Sequence, residues 1–115
     1  MAYNEYLQER INSILNEKRV VYLEKKMMGG LCYMIDDKMC IGIIKDDLMA
    51  RVGPDLYEEL MQKEHAREMD FTKRPMKGYV YVAPEGIDYE EDLEFWVQKC
   101  LDFNPLAKSS KKKKK

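Results

Sequence analysis

The stretch K-K-M-M-G-G-L-C-Y-M-I-D-D-K-M-C-I-G-I-I-K-D-D-L-M-A-R-V, Lys25 to Val52, decides the fold. It holds four apolar runs separated by Gly29-Gly30, Asp36-Asp37 and Asp46-Asp47. Gly and Asp tolerate the positive φ of tight hairpin turns, so two-residue breaks of this kind between strand-like runs predict hairpins. The spacing predicts a four-stranded antiparallel meander over residues 20–28, 31–36, 38–45 and 47–52.

If each pair of break residues forms the loop, Met28 faces Leu31, Ile35 faces Lys38 and Lys45 faces Leu48. Side chains alternate across a strand, so this register assigns every residue to one face. The first face collects Leu23, Met27, Cys32, Met34, Met39, Ile41, Ile43, Leu48, Ala50 and Val52, with Lys25 its one charge, and is expected to be the core face. The second collects Tyr22, Glu24, Lys26, Met28, Tyr33, Cys40, Gly42, Ile44, Met49 and Arg51, and an antiparallel sheet can leave such a mixed face open to water or to a partner.

The run Lys25-Lys26-Met27-Met28-Gly29-Gly30-Leu31, followed by Asp36-Asp37-Lys38-Met39 and Asp46-Asp47-Leu48, resembles the amino-terminal domain of the TfoX/Sxy family of bacterial competence regulators. That family usually reads Met-Phe-Gly-Gly where this chain has Met27-Met28-Gly29-Gly30, and Asp-Gly where it has Asp36-Asp37. The similarity runs over about residues 10 to 100, and its motifs are turns rather than chemistry. It implies the fold, a link to the regulation of DNA-uptake genes, and no catalytic residues. The longer competence regulators carry a separate carboxy-terminal domain; here a stand-alone short form with a Lys tail is expected.

Upstream, Leu7, Ile11, Ile14 and Leu15 repeat at helical spacing between polar residues, which predicts a helix over residues 3–18 with one buried stripe. Downstream, Gly53-Pro54-Asp55 opens a second helix with Pro near its first position, where the missing N–H costs nothing. Leu56, Tyr57, Leu60 and Met61 form its apolar side, and it should end near Glu64. Residues 65–77 are polar and irregular, with a short strand suggested at 67–70. Residues 78–83 read as a strand, with its valines in the core and Tyr79 and Tyr81 on the open face. Asp88 and Glu91 have the spacing of a capping box. Leu93, Trp96, Val97, Cys100 and Leu101 then mark a third helix that Asn104-Pro105 ends. The expected architecture is α+β: a two-layer sandwich, an antiparallel meander sheet of about five or six strands with three helices on one face.

The chain has 115 residues, 45% of them hydrophobic, enough for one globular domain over residues 1–107. A net charge of −1 hides an asymmetry: residues 108–115 hold 6 of the 20 Lys and Arg and no acid, leaving 14 against 21 acids, a net of −7, in the body. Like charges repel and nothing apolar anchors this tail, so disorder is expected for residues 108–115. No amino-terminal apolar run or membrane-length stretch is present, and three cysteines, with Cys32 and Cys40 on opposite faces, suggest reduced thiols and a cytoplasmic protein.

The motifs carry little chemistry. His65 is the lone histidine and reads as an ordinary surface residue. Asp36-Asp37 and Asp46-Asp47 lack the alternating oxygen ligands of a calcium loop, and Gly29-Gly30 lacks the following helix of a phosphate cradle. No catalytic, cofactor or metal residues are assigned, and no enzyme is expected. Two surfaces remain. Lys26, Met28, Tyr33, Met49, Arg51, Tyr79 and Tyr81 would share the open sheet face, which suits a protein partner, self-association or stacked bases, or is a half-solvated surface. Lys108, Lys111, Lys112, Lys113, Lys114 and Lys115 offer a weak, sequence-blind polyanion contact, with a log–log salt slope of at most about −5 on duplex DNA. The expected function is a non-enzymatic regulatory or protein-interaction module; the alternative is a nucleic-acid-associated protein using the tail and the Tyr/Arg face.

Overall fold

Helix and strand alternate in the computed structural model in the order that the periodicity predicts, and the structure describes residues 3–27, 29–68 and 78–107. Helix α1 (Glu5–Glu17) leads to strands β1 (Leu23–Met27), β2 (Gly30–Ile35), β3 (Lys38–Ile44) and β4 (Asp47–Arg51). Helix α2 (Pro54–Leu60), strands β5 (Ala66–Glu68) and β6 (Tyr79–Val82) and helix α3 (Glu90–Phe103) follow. The strands form one open antiparallel sheet in the order β1-β2-β3-β4-β6-β5, an α+β fold.

Local chemistry explains the helix ends. The Asn4 side chain caps α1 by accepting from the backbone N–H groups of Tyr6 and Leu7 at 2.9 and 3.1 Å. Pro54 sits at the start of α2 as expected, after Gly53 at φ +90°. That helix stops at Leu60 rather than near Glu64. The Asp88–Glu91 capping box does not form: α3 starts one residue after Tyr89, whose side chain makes no capping bond. Instead Glu90, Glu91 and Asp92 face the positive end of the helix dipole, and Arg10 binds both Glu90 (3.5 Å) and the Asp88 carbonyl (3.3 Å).

A single apolar cluster holds the layers together. It takes Leu7, Ile11, Ile14 and Leu15 from α1 and Leu93, Trp96, Val97 and Cys100 from α3. The sheet contributes Leu31, Tyr33, Ile35, Ile41, Ile43, Leu48, Ala50, Val80 and Val82, and Tyr57 and Leu60 of α2 join it. Trp96 is 2% exposed, as its place on the stripe predicts. Salt bridges Arg10–Glu90 and Lys18–Glu94 (3.3 Å) tie α1 to α3 at the rim.

The register departs from expectation in three places, and only one matters for the faces. Met27 pairs with Gly30, so Gly30 belongs to β2 instead of the turn; a Cβ there would strike the Ile43 backbone carbonyl. At the third turn Ile44 pairs with Asp47 and Lys45 takes φ +56°, because the amino-terminal segment docks there. Asn4 donates its N–H to the Lys45 carbonyl (2.7 Å) and its amide to Asp46 (3.1 Å). Both changes move a residue's partner by two positions and leave its face unaltered. The middle turn forms as predicted, with Ile35 opposite Lys38 and Asp36 and Asp37 at φ +57° and +64°. Beyond it, however, Met34 pairs with Met39 while Tyr33 pairs with Ile41. Cys40 is thus an extra residue, a β-bulge, and it shifts the pairing by one.

That single shift exchanges the faces of β1 and β2. Leu31, Tyr33 and Ile35 point into the cluster, where Cys32 and Met34 were expected. Leu23, expected in the core, is 68% exposed. Ile41, Ile43, Leu48, Ala50 and Val52, beyond the bulge, are buried as predicted.

Candidate functional site: the outer face of the sheet

Residues pointing away from the apolar cluster meet in the middle of the sheet by register. Met49 lies opposite Tyr81 and Arg51 opposite Tyr79, while Arg67 of β5 flanks Tyr81 from the other side. Met49, Arg51, Tyr79 and Tyr81 are therefore brought together as the sequence suggests. Arg51 does not lie opposite Gly42; that place belongs to Met49, whose methyl fills the space a Cβ would need.

Arg51 is instead built into the scaffold. Its guanidinium donates to the Met39 carbonyl at 3.0 Å, next to the bulge, and stacks on Tyr79 (5.4 Å to the ring centre) and Phe103 (5.8 Å). A bulge breaks the ladder locally, and this bond satisfies a carbonyl beside it. Arg67 lies over the Tyr81 ring at 5.2 Å and forms a short ion pair with Asp47. Arg67 and Asp47 were not assigned to this surface from the sequence; the pairing of β5 with β6 that brings them in follows a segment with no strand-like alternation. Cation–aromatic pairs of this kind are worth about 0.5–1 kcal/mol each at exposed sites.

Two expected members lie elsewhere. Tyr33 is fully buried on the helix side, its hydroxyl 2.7 Å from Asn12 Oδ1 and 3.2 Å from the Gln8 carbonyl, because the bulge turns it under α1. Burial and the nearby Glu24 charge push its hydroxyl well above the ordinary tyrosine range. Lys26 pairs with Leu31 and shares the helix side, at the exposed rim. Met28 and the lysines at 108 and 111–115 lie outside the described residues.

The three cysteines are free and buried. Cys32 and Cys40 diverge as expected, but with sides exchanged: Cys40 joins the cluster and Cys32 is enclosed on the outer face. Burial, reinforced by Cys40, pushes the Cys32 thiol up to about 11. Burial also raises the Cys100 thiol, again with Cys40 beside it. Such thiols are poor nucleophiles.

His65 is exposed, at φ +72°, and its carbonyl accepts from Ala83 N–H at 2.9 Å, so its visible part is to turn the chain from α2 into β5. It borders an open recess of about 410 Å³ with Glu85, Tyr89, Asp92 and Trp96. Among the described residues no group of three or more His, Cys, Asp or Glu is arranged to hold a metal ion, and no helix is long and apolar enough to cross a membrane.

Residues 19–104 match the TfoX N-terminal domain family. The chain belongs to that family. TfoX N-terminal domains are not a family of enzymes, and the outer face of this one carries stacked cations and aromatics. The chain is also 32% identical over 78 residues to a glycogen synthase of Fervidobacterium nodosum, covering 64% of this chain and 16% of that protein. It spans about a sixth of that relative's length, too little to carry any of its activity to this TfoX-type domain. No solved structure gives a significant match.

Proposed function

We propose that this TfoX-type domain is a non-enzymatic regulatory module that engages a protein partner through the outer face of its sheet. The observation that carries this reading is the register of β4, β6 and β5, which sets Met49, Arg51, Tyr79, Tyr81 and Arg67 side by side outside the apolar cluster. Tyr and Arg are residue types enriched where proteins meet, and Tyr79, Tyr81, Arg51 and Arg67 keep exposed surface while Met49 is buried among them. The family association extends the proposal to control of DNA-uptake genes.

Tyr79 and Tyr81 are the residues to test, because Arg51 braces the bulge and its loss would disturb the fold. Partners captured from the source cell would be identified and their affinity measured against purified wild type and the Tyr79→Ala/Tyr81→Ala variant. A hot-spot loss of about 2 kcal/mol or more, roughly thirty-fold or greater in Kd, supports the reading. Equal affinity in a folded double variant removes the outer face from it. Unchanged DNA-uptake transcripts after gene deletion would remove the competence link alone.

A further inference from the structure

The sheet ends at β1, which pairs with β2 on one side; among the described residues no strand pairs with its other side. An unpaired edge presents a row of backbone N–H and C=O groups ready to template another strand. At this edge Leu23 is 68% exposed, and Val21, two residues before it and ahead of the strand, is 86% exposed. The opposite edge, β5, has three strand residues among those described, with Arg67 already held by Asp47.

We propose that β1 pairs in antiparallel fashion with β1 of a second copy, joining two sheets across a two-fold axis. Such an axis sets residues of the same face opposite one another, so the axis must pass through a residue position. Three positions are available at the strand centre. Centred on Glu24, the pairing opposes Glu24 to itself and Leu23 to Lys25. Centred on Lys26, it opposes Lys26 to itself and Lys25 to Met27. Centred on Lys25, it sets Glu24 against Lys26 twice and Leu23 against Met27 twice.

Charge complementarity selects the Lys25-centred register. Glu24 and Lys26 lie on the helix side, where they pair with Tyr33 and Leu31 of β2. The Gln8 amide donates to the Glu24 carboxylate at 2.9 Å and orients it. Lys25 meets its own copy at the axis on the outer side, the one unfavourable pair. Lysines commonly guard an edge strand against pairing; here the Lys26-centred register opposes Lys26 to itself, the Glu24-centred one opposes two carboxylates, and the Lys25-centred one alone gains two opposite-charge pairs.

Sedimentation velocity of the full chain over a concentration series tests the inference, with circular dichroism to check each variant's fold. The wild type should show a concentration-dependent dimer. Lys26→Glu replaces two attractive cross-strand pairs by two repulsive ones and should weaken association at least about ten-fold. Glu24→Lys combined with Lys26→Glu restores the complementarity and should restore the dimer. Lys25→Thr, which removes the repulsion at the axis, should tighten it several-fold and keeps the inference testable if a charge reversal fails to fold. A wild type that stays monomeric throughout overturns the inference, as does a dimer indifferent to Lys26→Glu. A dimer lost in Tyr79→Ala/Tyr81→Ala but kept in Lys26→Glu also overturns it, and places self-association on the outer face.

Discussion

The two faces of this sheet are shielded by different means. On the helix side, leucines, isoleucines and valines meet the apolar stripes of α1 and α3 in one cluster. On the outer side Cys32 and Met49 are nearly as buried, 2% and 3% exposed, yet lie outside that cluster. There the side chains seen stacked on one another are Arg51 on Tyr79 and Phe103, and Arg67 on Tyr81. One face excludes water with aliphatic bulk, and the other carries the long stems and rings of amphipathic residues. The first kind of burial is stability. The second leaves polar edges at the surface, where a partner can use them.

The contrast can be broken most sharply by truncating one aromatic on each side. Trp96→Ala opens a cavity at the centre of the α3 stripe and should cost about 3–5 kcal/mol. Tyr79→Ala removes a half-buried ring and one cation–aromatic pair and should cost about 1 kcal/mol. Urea unfolding of the two variants measures both, and equal losses would erase the distinction between the faces.

Alkaline pH provides the next largest effect and reaches the outer face directly. The unfolded chain ionises Cys32 at its ordinary value of 9.0, whereas the folded thiol holds its proton to about 11. Stability attached to the neutral thiol is therefore fully present below pH 9 and is lost as pH rises toward 11, by at most about 3 kcal/mol. Cys100 and Tyr33, also raised, act in the same direction. Melting temperatures of wild type and Cys32→Ala, compared between pH 8 and 11, should show a shallower decline in the variant.

Arg51→Met keeps the apolar stem and removes the charge that donates to the Met39 carbonyl, for an expected loss of about 1–3 kcal/mol. Amide exchange should show Cys40 and Ile41 deprotected more than β6. Uniform loosening would mean that the guanidinium is not specific to the bulge. The smallest effect belongs to the middle turn, which serves both faces equally. Asp37 sits at φ +64°, so Asp37→Gly should stabilise by about 0.5–1 kcal/mol without moving either face.

What the sequence determined by itself is local. The stripes of α1 and α3 are buried at the residues their period predicts, save Leu101, which is half-buried at the end of α3, because a 3.6-residue repeat commits a helix to one face wherever it packs. The Asp36-Asp37 turn is legible because the conformation it needs is a property of those two residues. The grouping of Tyr79 and Tyr81 on one side follows from strict alternation, and Met49 and Arg51 fell on that side because β4 comes after the bulge. Only the tertiary structure decided which side of β2 faces the helices. Nothing in Tyr33-Met34 or Met39-Cys40-Ile41 marks an extra residue. The bulge is held by groups distant along the chain: Cys40 packs into the cluster that contains Cys100, and Arg51 satisfies the Met39 carbonyl. Strand alternation carries a face assignment along the chain without error until one residue is inserted, and the packing energy that selects the insertion belongs to the assembled core rather than to any short segment.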